Sequence, residues 1–472
     1  MYLHETLPSY CAGGTRRNSQ KKPEAHPSTT IQVAPRKQFC RYRAVPVTYS
    51  IAIAGCGPAG LAAALLLNDA GHNVTLLERF DAPRAIGSGL LLQPTGMAVL
   101  DRLGLAETTA MHGARIDGLL GLQEAGKSAL DSPYAKLGVP GSFGIGIHRS
   151  SLFSVLYGAV LAAGIPVRTG CSITGSSVTS SGRTLTLENG EATEAFDLVV
   201  DSTGWKTQLS DPAEGLLEYG ALWASLPTLP DDPFSGHLLE QRYRGAHQMA
   251  GVLPTGMRRP GEANEVAFFW SLRARDHADW LAAPLNQWKD VVLELWPDTA
   301  CLLDRIESRD QLVFARYAHR QLRHPVGERI VHIGDAWHSA SPQLGQGANM
   351  ALLDAWALAK GLAYTDKLSE SLRAMRAWRG DHVGLYQAVT RAFTPLYQSD
   401  GVVLPAIRDR LLMPFSRIWP ANRIQAVIMS GMLGWPLRVL GLEPPDYPSL
   451  AALMTAPRVS SMASCASSLD QS

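Results

Sequence analysis

Ser50-Ile-Ala-Ile-Ala-Gly55-Cys-Gly57-Pro-Ala59-Gly60-Leu61, closed downstream by Leu76-Leu77-Glu78-Arg79, decides the fold. An apolar run reads as a buried strand; a glycine-rich turn, a helix, a second strand and an acid at that strand's end follow. Each residue type has a physical task. Gly55 permits the tight turn, Gly57 lets the backbone approach a pyrophosphate, and Gly60 lets helix and strand pack closely. The helix opening at Pro58 and Ala59 aims its amides and the positive end of its dipole at phosphate oxygens. Glu78, with Arg79 beside it, lies 18 residues beyond Gly60, where a carboxylate accepts hydrogen bonds from ribose hydroxyls. Glycines alone fit many turns. Flanked by strands and completed by the acid, they predict a dinucleotide site on a Rossmann-like α/β sheet.

With 472 residues and 46% hydrophobic content, the chain exceeds one average domain. A net charge of +1 leaves no nucleic-acid footprint over the chain. Cys11, Cys40, Cys56, Cys171, Cys301 and Cys465 are scattered without paired or metal-ligand spacing, which fits free thiols in a reducing cytoplasm and no metal. Residues 1–47 carry eight Lys/Arg against two Glu and no apolar core of a signal peptide, so they read as a disordered extension. The Ser-rich tail 458–472 reads the same way. No apolar run reaches the roughly 20 residues of a spanning helix. Between Val402 and Leu442 apolar and basic residues mix. That stripe reads first as core or interface packing; peripheral membrane contact and a homodimer stay open.

A second segment selects the dinucleotide. Arg329-Ile-Val-His-Ile-Gly334-Asp335-Ala-Trp-His338-Ser-Ala-Ser-Pro342-Gln-Leu-Gly345-Gln-Gly347-Ala-Asn349 resembles the GD motif of the FAD-dependent aromatic hydroxylases, the single-component flavoprotein monooxygenases related to para-hydroxybenzoate and salicylate hydroxylases. The resemblance implies that Asp335 binds the FAD ribitol and that Pro342, Gly345, Gly347 and Asn349 approach the flavin's pyrimidine end. Independently of the family, a helix starting near Asn349 has free amides, and its dipole stabilises negative charge on a reduced flavin. Ile147-His148-Arg149 resembles the family's helix-opening Arg segment, which implies that Arg149 contacts the cofactor. Gly87 to Pro94, with Arg84 upstream, resembles the loop beside the isoalloxazine.

One motif departs. The family's DG segment, Asp-Leu-Val-Val-Gly-Ala-Asp-Gly-x-x-Ser, is here Asp197-Leu-Val-Val-Asp201-Ser-Thr203-Gly204-Trp-Lys-Thr207. Gly204 is kept and joins the cofactor set, but Thr203 lacks the motif acid's charge. The nicotinamide route is therefore in doubt.

The expected architecture is a discontinuous FAD-binding domain from 48–218 and 319–399, with 219–318 inserted as a mostly antiparallel substrate sheet and helices over 400–457. Trp223, Tyr243, Trp270 and Tyr317 are candidates for its cavity lining or its core. The resemblance implies an FAD-dependent monooxygenase. NADH or NADPH reduces FAD, and O2 enters an aromatic or similar small hydrophobic substrate through a flavin C4a-hydroperoxide. His338, three residues after Asp335, is the candidate base. Competing readings are a flavin-linked reductase or dehydrogenase without oxygen transfer and a non-catalytic flavin-binding module. A halogenase is disfavoured because its Trp-x-Trp-x-Ile-Pro signature is absent.

Overall fold

The computed structural model describes residues 47–84, 87–213, 215–259 and 261–455; the basic stretch before Val47 and the tail 458–472 lie outside them. Ser50–Ala54 occupies the interior of a six-stranded sheet, ordered Val326–Gly327, Ile330–His332, Leu198–Asp201, Ser50–Ala54, Asn73–Leu77, Val167–Arg168. All neighbours run parallel except the outermost Val326–Gly327. Ile51 to Ala54 are wholly buried, as a strand covered on both faces must be. The helix Pro58–Asp69 is apolar nearly all round and packs between the sheet and the helices Arg149–Ala162 and Gly347–Leu362. Two glycines are dictated by space and backbone. Gly55 sits at φ +100°, and a Cβ on Gly60 would lie 2.1 Å from the Gly55 carbonyl oxygen.

Three antiparallel strands, Gly89–Leu92, Gly144–His148 and Ala114–Ile116, lie beside this body. A larger sheet of seven strands follows the order Val313–His319, Gly215–Pro227, Asn264–Arg273, Gln248–Met257, Leu238–Arg244, Gly118–Gln123, Ser128–Pro133. It is antiparallel except where Leu238–Arg244 meets Gly118–Gln123. It thus recruits residues 118–133, upstream of the 219–318 stretch from which the sequence builds it. The pleat sends alternate residues to opposite faces. Leu222, Ala224, Phe268 and Trp270 pack on the helices His277–Ala282, Leu285–Leu295 and Ala300–Asp304. Trp223, Leu253 and Phe269 face the nucleotide-binding body instead. The helix Leu368–Tyr397 runs along Gly347–Leu362, and short helices complete the C-terminal part.

Candidate active site

The glycine turn presents a helix start without a side-chain cap, with Pro58 at the first position and the Ala59 and Gly60 amides free of intrahelical partners. Glu78 is buried against it. Its Oε2 accepts from the Cys56 amide at 2.9 Å and its Oε1 from the Phe80 amide at 3.2 Å. Each oxygen keeps a lone pair for a further donor. Burial, reinforced by the Glu78 charge, pushes the Cys56 thiol up to about 12, so it stays a neutral filler of the turn. Arg79 is exposed and stacks on Phe80, with its guanidinium carbon 4.5 Å from the ring centre; Arg84 stacks at the same distance.

Across the sheet's carboxyl edge, the strand Ile330–His332 leads into Gly334 and the short helix Asp335–His338. Asp335 is exposed in a run of otherwise buried residues, and a Cβ on Gly347 would lie 4.0 Å from its Oδ1. The turn Pro342–Leu344 and Gly345 then start the helix Gly347–Leu362, again without a side-chain cap. Asn349 points inward. Its Oδ1 accepts from the Gln93 amide at 2.8 Å, and its Nδ2 donates to the Leu91 and Gly345 carbonyls, both at 3.0 Å. It clamps the 89–93 strand and loop onto the helix start. The Arg149 amide donates to the Ser88 carbonyl at 2.9 Å, and its side chain lies over Gly87.

His338 is placed differently from its sequence reading as a base. Its side chain is only 1% exposed, and Nε2 lies 2.6 Å from Asp354 Oδ2. The enclosed ring is committed to this carboxylate. Asp354 also accepts from the Gly334 amide at 2.9 Å and from Arg379 Nε at 2.8 Å. Arg379 Nη1 lies 2.6 Å from His382 Nδ1, and His382 Nε2 lies 3.0 Å from the Gly431 carbonyl. Arginine can only donate, so His382 Nδ1 accepts and Nε2 carries the proton. Burial, then the Arg379 charge, lowers His382 to about 3 and keeps it neutral. Burial alone would raise the Asp354 carboxyl; the charges of His338 and Arg379 outweigh it and hold it low. No sequence motif announced this network, whose members come from three separate elements.

The departed DG segment regains a carboxylate two residues upstream. Asp201, where the motif has Gly, is wholly buried at the end of Leu198–Asp201. Its Oδ1 accepts from the Thr203 amide at 3.0 Å and hydroxyl at 2.7 Å; its Oδ2 accepts from Thr207 at 2.6 Å and lies 2.7 Å from His332 Nδ1. Burial would raise Asp201, but His332 and the two hydroxyls hold it low. Arg320, 1% exposed, ties the following loop to the GD segment through the Ala336 carbonyl at 2.7 Å and the Asp211 carbonyl at 2.6 Å. Gly204 lies in that loop at φ +88°.

Of the four aromatics, Trp270 packs on the helix-covered face and Tyr243 is buried with its hydroxyl on Gln241 at 3.0 Å. Trp223 and Tyr317 are half-buried and joined by a Trp223 Nε1 to Tyr317 hydroxyl bond of 3.1 Å. Burial raises the Tyr317 hydroxyl, while the Trp223 bond and the nearby Arg149 charge oppose it. Ser88 and Ser225 hydroxyls meet at 2.9 Å, fastening the sheet to the 87–94 loop. Among the described residues no cluster of His, Cys, Asp or Glu could hold a metal, and no helix is long and apolar enough to cross a membrane.

As a cradle for FAD these residues fit. Two uncapped helix starts, a fixed carboxylate with free lone pairs at Glu78 and an exposed carboxylate at Asp335 offer anion-binding amides and hydroxyl acceptors. The profile of the FAD binding domain family matches residues 48–367. The chain is 28% identical over 398 residues to 6-methylpretetramide 4-monooxygenase of Streptomyces rimosus, covering 79% of this chain and 90% of that one. It is 27% identical over 369 residues to 3-hydroxybenzoate 6-hydroxylase of Klebsiella oxytoca, covering 69% and 85%. The solved fold of 2-methyl-3-hydroxypyridine-5-carboxylic acid oxygenase superposes with a TM-score of 0.67 at 21% identity, over 83% of this chain and 98% of that one. The matched span runs through both cofactor motifs, and the chain belongs to the FAD binding domain family of FAD-dependent aromatic hydroxylases, which makes it an FAD-dependent monooxygenase.

Proposed function

We propose that the protein hydroxylates a planar aromatic or similar small hydrophobic molecule held between the large sheet and the Gly345–Asn349 turn, with NADH or NADPH as electron donor. The observation that carries this reading is the convergence of Arg149, Trp223 and Tyr317 beside the 87–94 loop, which Asn349 fastens to the helix start. When bound, FAD supplies hydride acceptance from the nicotinamide and activation of O2. The chain's own residues bind and orient. Gly55, Gly57, Ala59 and Gly60 offer the close backbone and amides for the pyrophosphate, Glu78 the acceptor for ribose, and Arg79 the rim charge. Asp335 accepts from the ribitol, while Pro342, Gly345 and Gly347 shape the turn at the flavin. Arg149 contributes positive charge near the flavin, and Gly204 leaves room on the nicotinamide side. In this reading 48–218 and 319–399 form the FAD-binding body, and 219–318, extended by 118–133, forms the roof that excludes water.

Tyr317 is the polar group offered to a substrate hydroxyl, since His338 is committed to Asp354. The aromatic class is supported by the names of the relatives, and the Trp223 and Phe269 rings, with centres 4.6 Å apart and tilted by 32°, suit an aromatic guest. A cytoplasmic setting is supported by Cys56, Cys171 and Cys301 being free thiols. The test is the visible spectrum of the purified protein before and after anaerobic NADH or NADPH, with phenols present, followed by turnover under labelled O2. A flavin that bleaches and a product carrying the label uphold the reading. Reduction without label in product assigns a reductase, and a flavin that no nicotinamide reduces assigns a binding module.

A further inference from the structure

The segment after the long helix is inside out. Val403–Ile407, a π-helical turn Arg408–Leu412 and Met413–Ser416 form one continuous helical run. Its inward face buries Arg408 completely. That guanidinium donates to the Leu396 carbonyl at 2.8 Å, to the Gly245 carbonyl at 3.2 Å and to Asp409, and Asp409 in turn accepts from Gln123 at 2.9 Å. The run is therefore anchored on the edge of the large sheet through polar groups. Its outward face is apolar. Val402 is 79% exposed, Phe415 and Ile418 61%, and Trp419 74%, with Val403 and Leu411 more than half exposed. So much contiguous exposed apolar surface marks an interaction site. The expected core packing of the 402–442 stripe holds from Ala426 onward, where Ala426, Met429 and Leu437 join the main core, while 402–419 lies outside it.

The charges around it identify the occupant. Arg410, Arg417 and Arg423 are exposed, and no Asp or Glu occurs from 410 to 442. A two-fold contact with a second copy would set this patch against itself, bringing arginines together with no acid to pair them. An anionic bilayer surface supplies both halves of the match, acyl chains for the aliphatic residues and headgroups for the arginines; exposed Trp and Phe are residues of that interface. We propose that residues 402–424 dock the protein peripherally on an anionic lipid surface.

The test is flotation of the full-length chain with phosphatidylcholine vesicles, with and without phosphatidylglycerol, at low and high salt, followed by flavin absorbance. The expected result is flotation with phosphatidylglycerol vesicles that weakens with salt. It should fall about tenfold or more in Arg410→Glu/Arg417→Glu and in Phe415→Ser/Trp419→Ser, with FAD content unchanged. Flotation that survives both variants assigns the attraction to the basic residues 1–47 and overturns the proposal. Absence of flotation overturns it too, as does a concentration-dependent dimer dissolved by Trp419→Ser, which gives the face to a second copy.

Discussion

Two buried aspartates stand at the carboxyl edge of the same sheet, each hydrogen-bonded to a histidine, yet their charges are balanced by different means. Asp354, 2.6 Å from His338, also holds the permanent cation Arg379 and the Gly334 amide. Asp201, 2.7 Å from His332, has two threonine hydroxyls and an amide; among the described residues no arginine is hydrogen-bonded to it, and Arg320 acts on it only through space. The first arrangement neutralises a charge with a charge that does not titrate. The second spreads it over hydroxyl and amide donors and one imidazole. The GD turn is thus fixed by a strong, unforgiving ion pair, and the altered DG loop by several weaker bonds that can be exchanged one at a time.

Breaking the first arrangement should have the largest effect. Asp354→Asn keeps the shape but leaves Arg379 buried without its counter-charge, and removing one partner of such a pair costs about 3–5 kcal/mol. A large drop in thermal midpoint and loss of bound FAD are expected. A variant that melts and binds FAD like the parent would mean that Arg379 is not compensated by Asp354 and would dissolve the contrast.

Acidification separates the regions next. His382 is held at about 3 when folded, while an unfolded histidine titrates near 6.5. Between these values the unfolded chain binds the extra proton, so stability falls as pH drops below about 6.5. Asp354 and Asp201 are both held low when folded; their contributions are present above the ordinary carboxylate range and fade as pH falls through the lowered values. His382→Gln, which can still accept from Arg379 and donate to Gly431, should flatten the decline between pH 6 and 4 without altering the fall below it. Thermal midpoints across that range decide; an unchanged slope would show that His382 carries a proton in the folded state.

Much of this was legible because it is local. The Gly55–Gly60 turn and Glu78 show themselves by spacing, and the Gly334–Asn349 segment by its resemblance to the GD motif, because each lies within one short stretch or strand–helix–strand unit. The setting of His338 was not legible because its partner Asp354, and Arg379 which Asp354 holds in turn, lie on helices whose packing no local pattern states. Trp223 and Trp270 look equivalent in sequence; the pleat sends one to each face. The missing acid at Thr203 was visible, but not its replacement. A carboxylate closing the apolar run Leu198-Val-Val-Asp201 is itself the signal, since a buried acid demands donors, and Thr203 and Thr207 stand where the chain can turn back to supply them.

That exchange can be reversed. Thr203→Asp alone restores the family's residue but sets a second carboxylate against Asp201, whose Oδ1 lies 2.7 Å from the present hydroxyl. A loss of about 1–3 kcal/mol is expected. Adding Asp201→Gly to give the family's arrangement should recover part of it, so the two changes together cost less than their sum. Urea midpoints of the four proteins give the coupling; strict additivity would mean the two acids do not compete for one place.

The smallest effect sharpens the contrast most. Thr203→Val removes one of four donors to Asp201 and leaves the Thr203 amide, Thr207 and His332 in place. A single such bond is worth about 1 kcal/mol net, and the isosteric methyl leaves no cavity. Stability should therefore fall by about 1 kcal/mol and FAD content should hold, with Thr203→Ser restoring the parent value. A loss as large as that of Asp354→Asn would show that Asp201 depends on this hydroxyl as Asp354 depends on Arg379. The two aspartates would then be balanced alike, and the tolerance assigned to the DG loop, which lets a carboxylate move two places along the chain, would have no physical basis.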